Sequence, residues 1–372
     1  MEFSIAKDIL IKGLGRTQSV IEKKAALPIL SNVLIEAKGD TIELIATDLE
    51  VGIKGKYDAS LITEGSMTIG AKKLFEIVRE LPEQEVRFKK LENNWVELIC
   101  GKAQFNIVGL PSDDFPVLPN FTEETFHALP ARMIAEMIEK VQHAVSFDET
   151  RYYLNGVFFC TVEKEGKKYA RMVTTDGHRL ALIDRELPEG IEFENTEGCI
   201  IPRKGINELR KALSDVDGDA QFCFKDRNLI VQCDNLLFII RLIDGEFPEY
   251  SQVIPSNNDR IMTCSRDQLV GSLRRVSLLS AELNRGVQVS LKKKILEISS
   301  SNPELGDAKE EIIVSYDNEE MSIGFNARYM LEVLSVINDE DVLVELADNL
   351  KPGLIRSPSD PDFLAVLMPM RI

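Results

Sequence analysis

The stretch PARMIAEMIEKVQHAV, Pro130 to Val145, decides the fold because it has two counterparts. Met133, Ile134, Met137, Ile138, Val141 and Val145 fall on one face at helical spacing. The same kind of amphipathic segment begins at Ala6 (AKDILIKGLGRTQSVI) and at Ser265 (SRDQLVGSLRRVSLLS), where Ser265 has the chemistry of an N-cap. Alternating runs follow each copy: SNVLIEAKGDTIELIATD with a turn at Gly39 and Asp40, NGVFFCTVEKEGKKYARMVTTD, and RGVQVSLKKKILEISSSN. β-Branched and aromatic residues alternate there with polar ones, which predicts half-buried antiparallel strands.

A second helix is predicted in each copy, from Ala71, Pro202 and Asn326. The apolar stripes are Leu74, Ile77, Val78 and Leu81; Ile206, Leu209 and Leu213; and Met330, Val333, Leu334 and Ile337. Two hairpins are expected after each helix, with turns at Asn93–Asn94 and Asp234–Asn235. Lys72 and Arg203 are 131 residues apart, and Arg203 and Asn326 are 123 apart. The expected fold is therefore α+β: three similar domains, each two helices on antiparallel sheets, at 1–125, 126–255 and 256–372. Polar, proline-marked linkers, LPNFTEETFHALP and VIPSNNDR, join them.

The chain of 372 residues is 44% hydrophobic, enough for several cores. It opens with MEFSIAKDIL, which lacks a secretory pattern, and its apolar runs are short, such as LLFII, Leu236 to Ile240. A spanning helix needs about 20 apolar residues, so a soluble, cytoplasmic protein is expected. Six cysteines, at 100, 160, 199, 223, 233 and 264, form no CxxC and read as reduced, buried thiols. His127, His143 and His178 lack metal-ligand spacing, so neither metal nor cofactor is expected.

Net charge is −17, from 44 Lys+Arg against 61 Asp+Glu. The six helical segments nevertheless hold 18 cations and 9 anions. Glu forms helices as well as Lys does, so the split points to a basic helical surface on an acidic body. Such a surface suits phosphates without reading bases. Repeats joined head to tail make heterologous contacts, which close into rings when the rotation permits. A ring with basic helices inside would hold a duplex topologically.

TTDGHRLAL, Thr174 to Leu182, raises a different possibility, since Asp176, His178 and Arg179 are the ingredients of an active site. ATDLEVGI, Ala46 to Ile53, carries the same Thr-Asp pair at Thr47 and Asp48, which marks that pair as turn framework. An α+β enzyme using Asp176 and His178 would require a deep polar pocket and a perturbed histidine. A repeat scaffold that binds proteins but no DNA would require no basic face.

LPILSNVLIE (Leu27–Glu36), RYYLNGVFF (Arg151–Phe159), TTDGHRLAL, IPRKGINEL (Ile201–Leu209), DGEFPEY (Asp244–Tyr250) and the terminal LMPMRI (Leu367–Ile372) together resemble the bacterial sliding clamp family, the beta subunit of DNA polymerase III. The resemblance runs through the whole chain in order. It implies DNA-clamp domains arranged head to tail in a homodimeric ring, with helices lining the pore. It also implies a non-catalytic role in tethering replicative and repair polymerases to double-stranded DNA.

The resemblance further implies a pocket for partner peptides between the second and third domains. Its residues would be Leu154, Thr175, Gly177, His178, Arg179, Leu180, Pro248, Val253, Asn326, Tyr329, Val366, Leu367, Met368, Pro369, Met370 and Arg371. Apolar members would seat Leu and Phe anchors, while His178, Arg179, Asn326 and Arg371 would bond the peptide's polar groups. Phe363 to Leu367 is expected as a final edge strand, with the methionines beyond it as adaptable pocket wall. For DNA, the implied residues are Lys24, Arg151, Tyr152, Tyr153, Arg203 and Lys204, with Lys72 and Lys73 at the corresponding place in the first domain; Asp148 and Glu149 neighbour the tyrosines. No GxxxxGK[ST] loop is present, so loading is expected to need a separate ATP-using protein.

Overall fold

The computed structural model describes residues 1–21, 27–119, 121, 124–191, 193, 197–280 and 285–371. Each repeat has one plan: strand, helix, strands, helix, three-strand meander. The first comprises β1 (Glu2–Ala6), α1 (Lys7–Gln18), β2 (Asn32–Lys38), β3 (Thr41–Thr47), β4 (Val51–Asp58), β5 (Ser60–Thr63), β6 (Gly65–Gly70), α2 (Ala71–Glu80), β7 (Glu85–Lys90), β8 (Trp95–Cys100) and β9 (Ala103–Leu110). The second has β10 (His127–Pro130), α3 (Ala131–Val141), β11 (Gly156–Lys164), β12 (Lys167–Thr175), β13 (Arg179–Glu186), β14 (Cys199–Pro202), α4 (Arg203–Ser214), β15 (Asp219–Lys225), β16 (Asn228–Cys233) and β17 (Leu236–Arg241). The third has β18 (Arg260–Ser265), α5 (Arg266–Val276), β19 (Gly286–Lys292), β20 (Ile295–Asn302), β21 (Gly306–Ile313), β22 (Met321–Asn326), α6 (Ala327–Leu334), β23 (Asp341–Leu346), β24 (Gly353–Ser357) and β25 (Asp360–Leu367).

One local expectation needs correction. A short strand precedes each first helix; β1, β10 and β18 pair with β7, β15 and β23. At four to six residues each, these strands are too short for period-2 patterning to stand out. The segment after each second helix is a three-strand meander, which is the expected two hairpins sharing their middle strand. The predicted turns are present: Gly39, Asn93, Asn94 and Asp234 all take positive φ. Ser265 caps α5, its hydroxyl accepting from the Gln268 N–H at 3.5 Å.

Strand pairing sorts the chain into two compact units. One holds residues 1–135, 191–194 and 204–242; the other holds 136–190, 195–203 and 243–372. The first unit contains a 13-stranded antiparallel sheet, in which β17 of the central repeat pairs with β4 of the first. The second contains an eight-stranded sheet, ordered β14-β11-β12-β13-β25-β24-β23-β18, and a four-stranded one. β25 is therefore not an edge strand. It lies between β24 and β13, because the edge of the central repeat is completed by the last strand of the third.

The apolar stripes of α2 and α1 close over the first repeat's core, where Leu10, Leu14, Leu74 and Val78 pack with Val33, Leu44 and the stacked pair Phe3 and Phe88. Gly13 lets α1 approach the sheet: a Cβ there would meet Leu44 Cδ1 at 2.8 Å. Several helix cations serve the fold instead of a basic face. Lys7 is buried, donating to the Leu81 carbonyl at 2.5 Å and pairing with Glu83 at 2.7 Å. Lys140 is buried too, donating to the Val336 carbonyl at 2.6 Å. No helix among the described residues is long and apolar enough to cross a membrane. The described cysteines are all free thiols.

Candidate functional site

The Thr-Asp turns of the first two repeats match in their hydrogen bonding. Asp176 Oδ1 accepts from the N–H groups of His178 (2.9 Å) and Arg179 (3.1 Å), while Thr175 Oγ1 accepts from Gly177 N–H (3.1 Å). Asp48 Oδ1 likewise accepts from Glu50 and Val51, and Thr47 Oγ1 from Leu49. The third turn position is left-handed in both, at φ 88° for Gly177 and 76° for Leu49. The pair is framework, as its repetition indicated.

Asp176 is not the partner of an exposed imidazole. Its second oxygen accepts from Arg179 Nε at 3.1 Å, and His178 is exposed. Arg179 itself is buried. It pairs with Asp176 and with Glu332 on α6, and its guanidinium lies 4.2 Å from the Tyr329 ring centre. Glu332 is also bonded by Arg328 Nε at 2.7 Å. Arg179 thus clamps the turn to α6. Asn326 is the N-cap of that helix, its Oδ1 accepting from Arg328 N–H (2.9 Å) and Tyr329 N–H (3.2 Å). The polar groups of Arg179 and Asn326, expected to meet a peptide, are engaged within the chain.

Beside this turn lies an open groove of about 260 Å³. Of the expected pocket residues, Leu154, Thr175, Gly177, Arg179, Leu180, Pro248, Val253, Val366 and Met368 line it. Beneath it packs a cluster containing Leu154, Leu180, Val366 and Phe247, with Phe158 stacked on Phe247 at 4.9 Å and Tyr250 edge-on to it. The C-terminal segment frames it: Met368 N–H donates to the His178 carbonyl at 3.0 Å, and Met370 N–H donates to Gly324 at 2.8 Å. His178, Asn326, Tyr329, Leu367, Pro369, Met370 and Arg371 are not part of the lining. Leu367 is buried and Arg371 exposed.

Four lining residues were not among those expected there: Arg151, Tyr153, Glu249 and Tyr250. Arg151 and Tyr153 stand among the residues expected to meet DNA. Glu249 and Tyr250 sit between Pro248 and Val253, where a 3₁₀ turn spans Tyr250–Val253, so their place was legible from their neighbours. Asp148 caps the turn Glu149–Leu154 through Thr150 and pairs with Arg151 at 2.9 Å, so hydrogen bonds from Thr150 and Arg151 hold its carboxyl below the usual range.

The remaining DNA-directed residues are scattered. Lys72 and Lys73 are exposed on α2, beside Glu76. Tyr152 is exposed. Arg203 lies 3.6 Å from the ring centre of exposed Phe147, and burial lowers its pKa. Lys204 is paired with Asp48, whose side chain is only 6% exposed. Lys24 lies outside the described residues.

The perturbed histidine is His143, whose ring nitrogens are shut off from water. Burial, assisted by the Arg179 charge and opposed by Glu332, lowers its pKa to about 3. The unfolded chain protonates this imidazole near 6.5, whereas the folded chain stays neutral down to about 3. Stability present above pH 6.5 is therefore lost as pH falls, by about 2 kcal/mol between pH 8 and pH 5. Urea midpoints of the native protein and His143→Gln at those two pH values test this; equal pH dependence in both would exclude it.

Family models span nearly all of the chain: DNA polymerase III beta subunit, N-terminal domain, matches residues 1–119, the central domain 128–249 and the C-terminal domain 251–371. The beta sliding clamp of Caulobacter vibrioides is 36% identical over 374 residues, with all of both chains covered. That of Escherichia coli K12 is 33% identical over 373 residues, again covering both completely. Among solved structures, a sliding clamp of Bartonella birtlesii bound to griselimycin matches with a TM-score of 0.96 at 34% identity, and a Caulobacter crescentus beta sliding clamp with 0.94 at 36%, each over the full length of both chains. Three DNA-clamp domains, repeated in sequence and alike in their strand order, place this chain in the DNA polymerase III beta subunit family, the bacterial beta sliding clamps.

Proposed function

We propose that two copies of this chain close head to tail into a ring around duplex DNA, and that the groove beside Met368 receives peptides from the polymerases and other proteins the ring tethers. As a beta subunit, the chain is a processivity factor without catalysis of its own. The observation that carries the peptide reading is the groove itself: apolar, open, and walled by the chain's C-terminal segment. Leu180, Val366, Val253 and Met368 suit a Leu or Phe anchor, and the exposed His178 and Arg371, outside the lining, are assigned to the peptide's polar groups. The domains are taken as 1–125, 126–255 and 256–372, and the site of action as the cytoplasm.

Pairing between repeats supports the head-to-tail dimer. β4 pairs with β17, and β13 with β25, each joining one repeat to the next. β21 holds the equivalent place in the third repeat, yet among the described residues pairs only with β20. β9, the equivalent of β17 and β25, meets β6 only through Gly109 and Leu110. Phe105, Val108 and Ile313 on these strands are exposed. Joining β21 of one protomer to β9 of its partner completes the series and covers both edges. Phe105→Glu with Val108→Glu is expected to halve the native mass in sedimentation at micromolar concentration. An unchanged mass would place the dimer contact elsewhere.

DNA contact is assigned to Lys72, Lys73, Arg203, Tyr152 and Lys24, without base readout. The test is retention. Loaded by its ATP-using partner onto nicked circular duplex, the protein is expected to stay through gel filtration in 0.5 M salt and to leave once the circle is linearised. Equal release from both forms would refute encirclement.

A further inference from the structure

The first unit contains a second groove, built on the same construction as the one beside Met368. Ile239 stands opposite Gly52 and Ile240 opposite Val51, as Val366 stands opposite Leu180 and Leu367 opposite Arg179. Arg241 N–H donates to the Glu50 carbonyl at 2.8 Å, as Met368 N–H donates to that of His178 at 3.0 Å. With the matching Thr-Asp turns, this equates Arg241 with Met368, Gly52 with Leu180, and Leu49 with Gly177. The groove has a volume of about 310 Å³.

Its chemistry differs at those positions. Leu118 occupies the space above Gly52, where a Cβ would meet Leu118 Cδ2 at 2.9 Å, so the chain's own leucine fills the place of a deep apolar anchor. Apolar surface moves to the rim: Leu49 is 53% exposed and Val117 is 94% exposed. Leu49 keeps its place although its φ of 76° favours glycine. An apolar side chain held in a disfavoured conformation and left to water suits a contact surface. Arg241 adds a cation whose side chain has no hydrogen-bond or ion-pair partner among the described residues.

We propose that this groove is a second peptide-docking site, selective for an extended segment with one carboxylate beside an apolar side chain. Arg241 pairs with the carboxylate, and Leu49 and Val117 hold the apolar neighbour. Glu50 and Asp226 also line the groove, which disfavours a polyacidic segment. The proposal extends the reading that the Met368 groove takes peptides, and the two stand or fall separately in one experiment.

Fluorescein-labelled Gly-Val-Glu-Leu-Gly and Gly-Val-Leu-Leu-Gly are titrated by anisotropy against the full chain, a chain lacking Met368 to Ile372, and Arg241→Met. The acidic probe is expected to bind the truncated chain as it binds the full one, and to lose at least tenfold in affinity with Arg241→Met. The apolar probe should show the reverse pattern, and its undiminished binding to Arg241→Met reports intact folding. Failure of the acidic probe to bind the full chain, indifference to Arg241→Met, or loss on truncation each overturns the second site. Failure of the apolar probe alone overturns the first groove's reading and leaves the second standing.

Discussion

A chain ending at Leu367 is expected to bind partner peptides at least a hundredfold more weakly while keeping its fold and its native mass. β25 keeps its pairing with β13 and β24 through Leu367, so the sheet does not depend on Met368 to Ile372. The deletion removes the Met368 side chain from the groove, the Met368 bond to His178 and the Met370 bond to Gly324. Full burial of one methionine side chain contributes about 1.5–3 kcal/mol, and a hundredfold in affinity is about 2.8 kcal/mol. The loss of wall and of the bonds that position the turn together reach that figure. Anisotropy with an apolar Leu- and Phe-bearing peptide measures it. Affinity within threefold of the full chain would remove the C-terminus from the site.

Asp184→Ala carries the largest expected cost to stability. The Asp184 side chain is 2% exposed and accepts from Arg171 Nε and Nη2, both at 2.7 Å, while Lys164 pairs with it at 2.7 Å. Hydrogen bonding to Asp184 is the chief reason the Arg171 pKa is raised. Removing one member of a buried pair costs about 3–5 kcal/mol, because the other charge is stranded. Arg171 is one-fifth exposed and Lys164 retains Asp362, so about 3 kcal/mol is expected. Arg171 Nη1 also donates to the Tyr250 hydroxyl at 3.3 Å, which ties the ion pair to the groove. The variant should therefore lose peptide affinity along with its urea midpoint. A change in stability below about 1 kcal/mol would mean that Arg171 finds another partner.

Much of the architecture was legible in the chain. Helical stripes such as Leu74, Val78 and Leu81 are buried as their spacing required, and the Thr-Asp turn declared itself framework by occurring twice. Of the terminal methionines, Met368 lines the groove, whereas Met370 bonds to the backbone of Gly324 outside the lining. The assignments of polar side chains fared worse. Lys7 and Lys140 carry the charges of a basic face but are buried against carbonyls. Arg179 and Asn326 have the polar groups a peptide needs and spend them on α6. A lysine in sequence carries no sign of whether a carbonyl waits within reach, because its partner can lie 196 residues away, as Val336 does from Lys140.

By itself the sequence determined the threefold repeat, the class of the longer elements and the family, because these depend on local periodicity and on motifs of a few residues. Tertiary structure alone decided that β25 is an interior strand, that Arg151 and Tyr153 share a groove with Met368, and that Arg241 occupies the position of Met368 in a second one. Those are matters of which sheet edges meet. Any two strands of suitable alternation satisfy the same local rules, so partner choice is settled only when the backbone hydrogen bonds of every edge are accounted for at once.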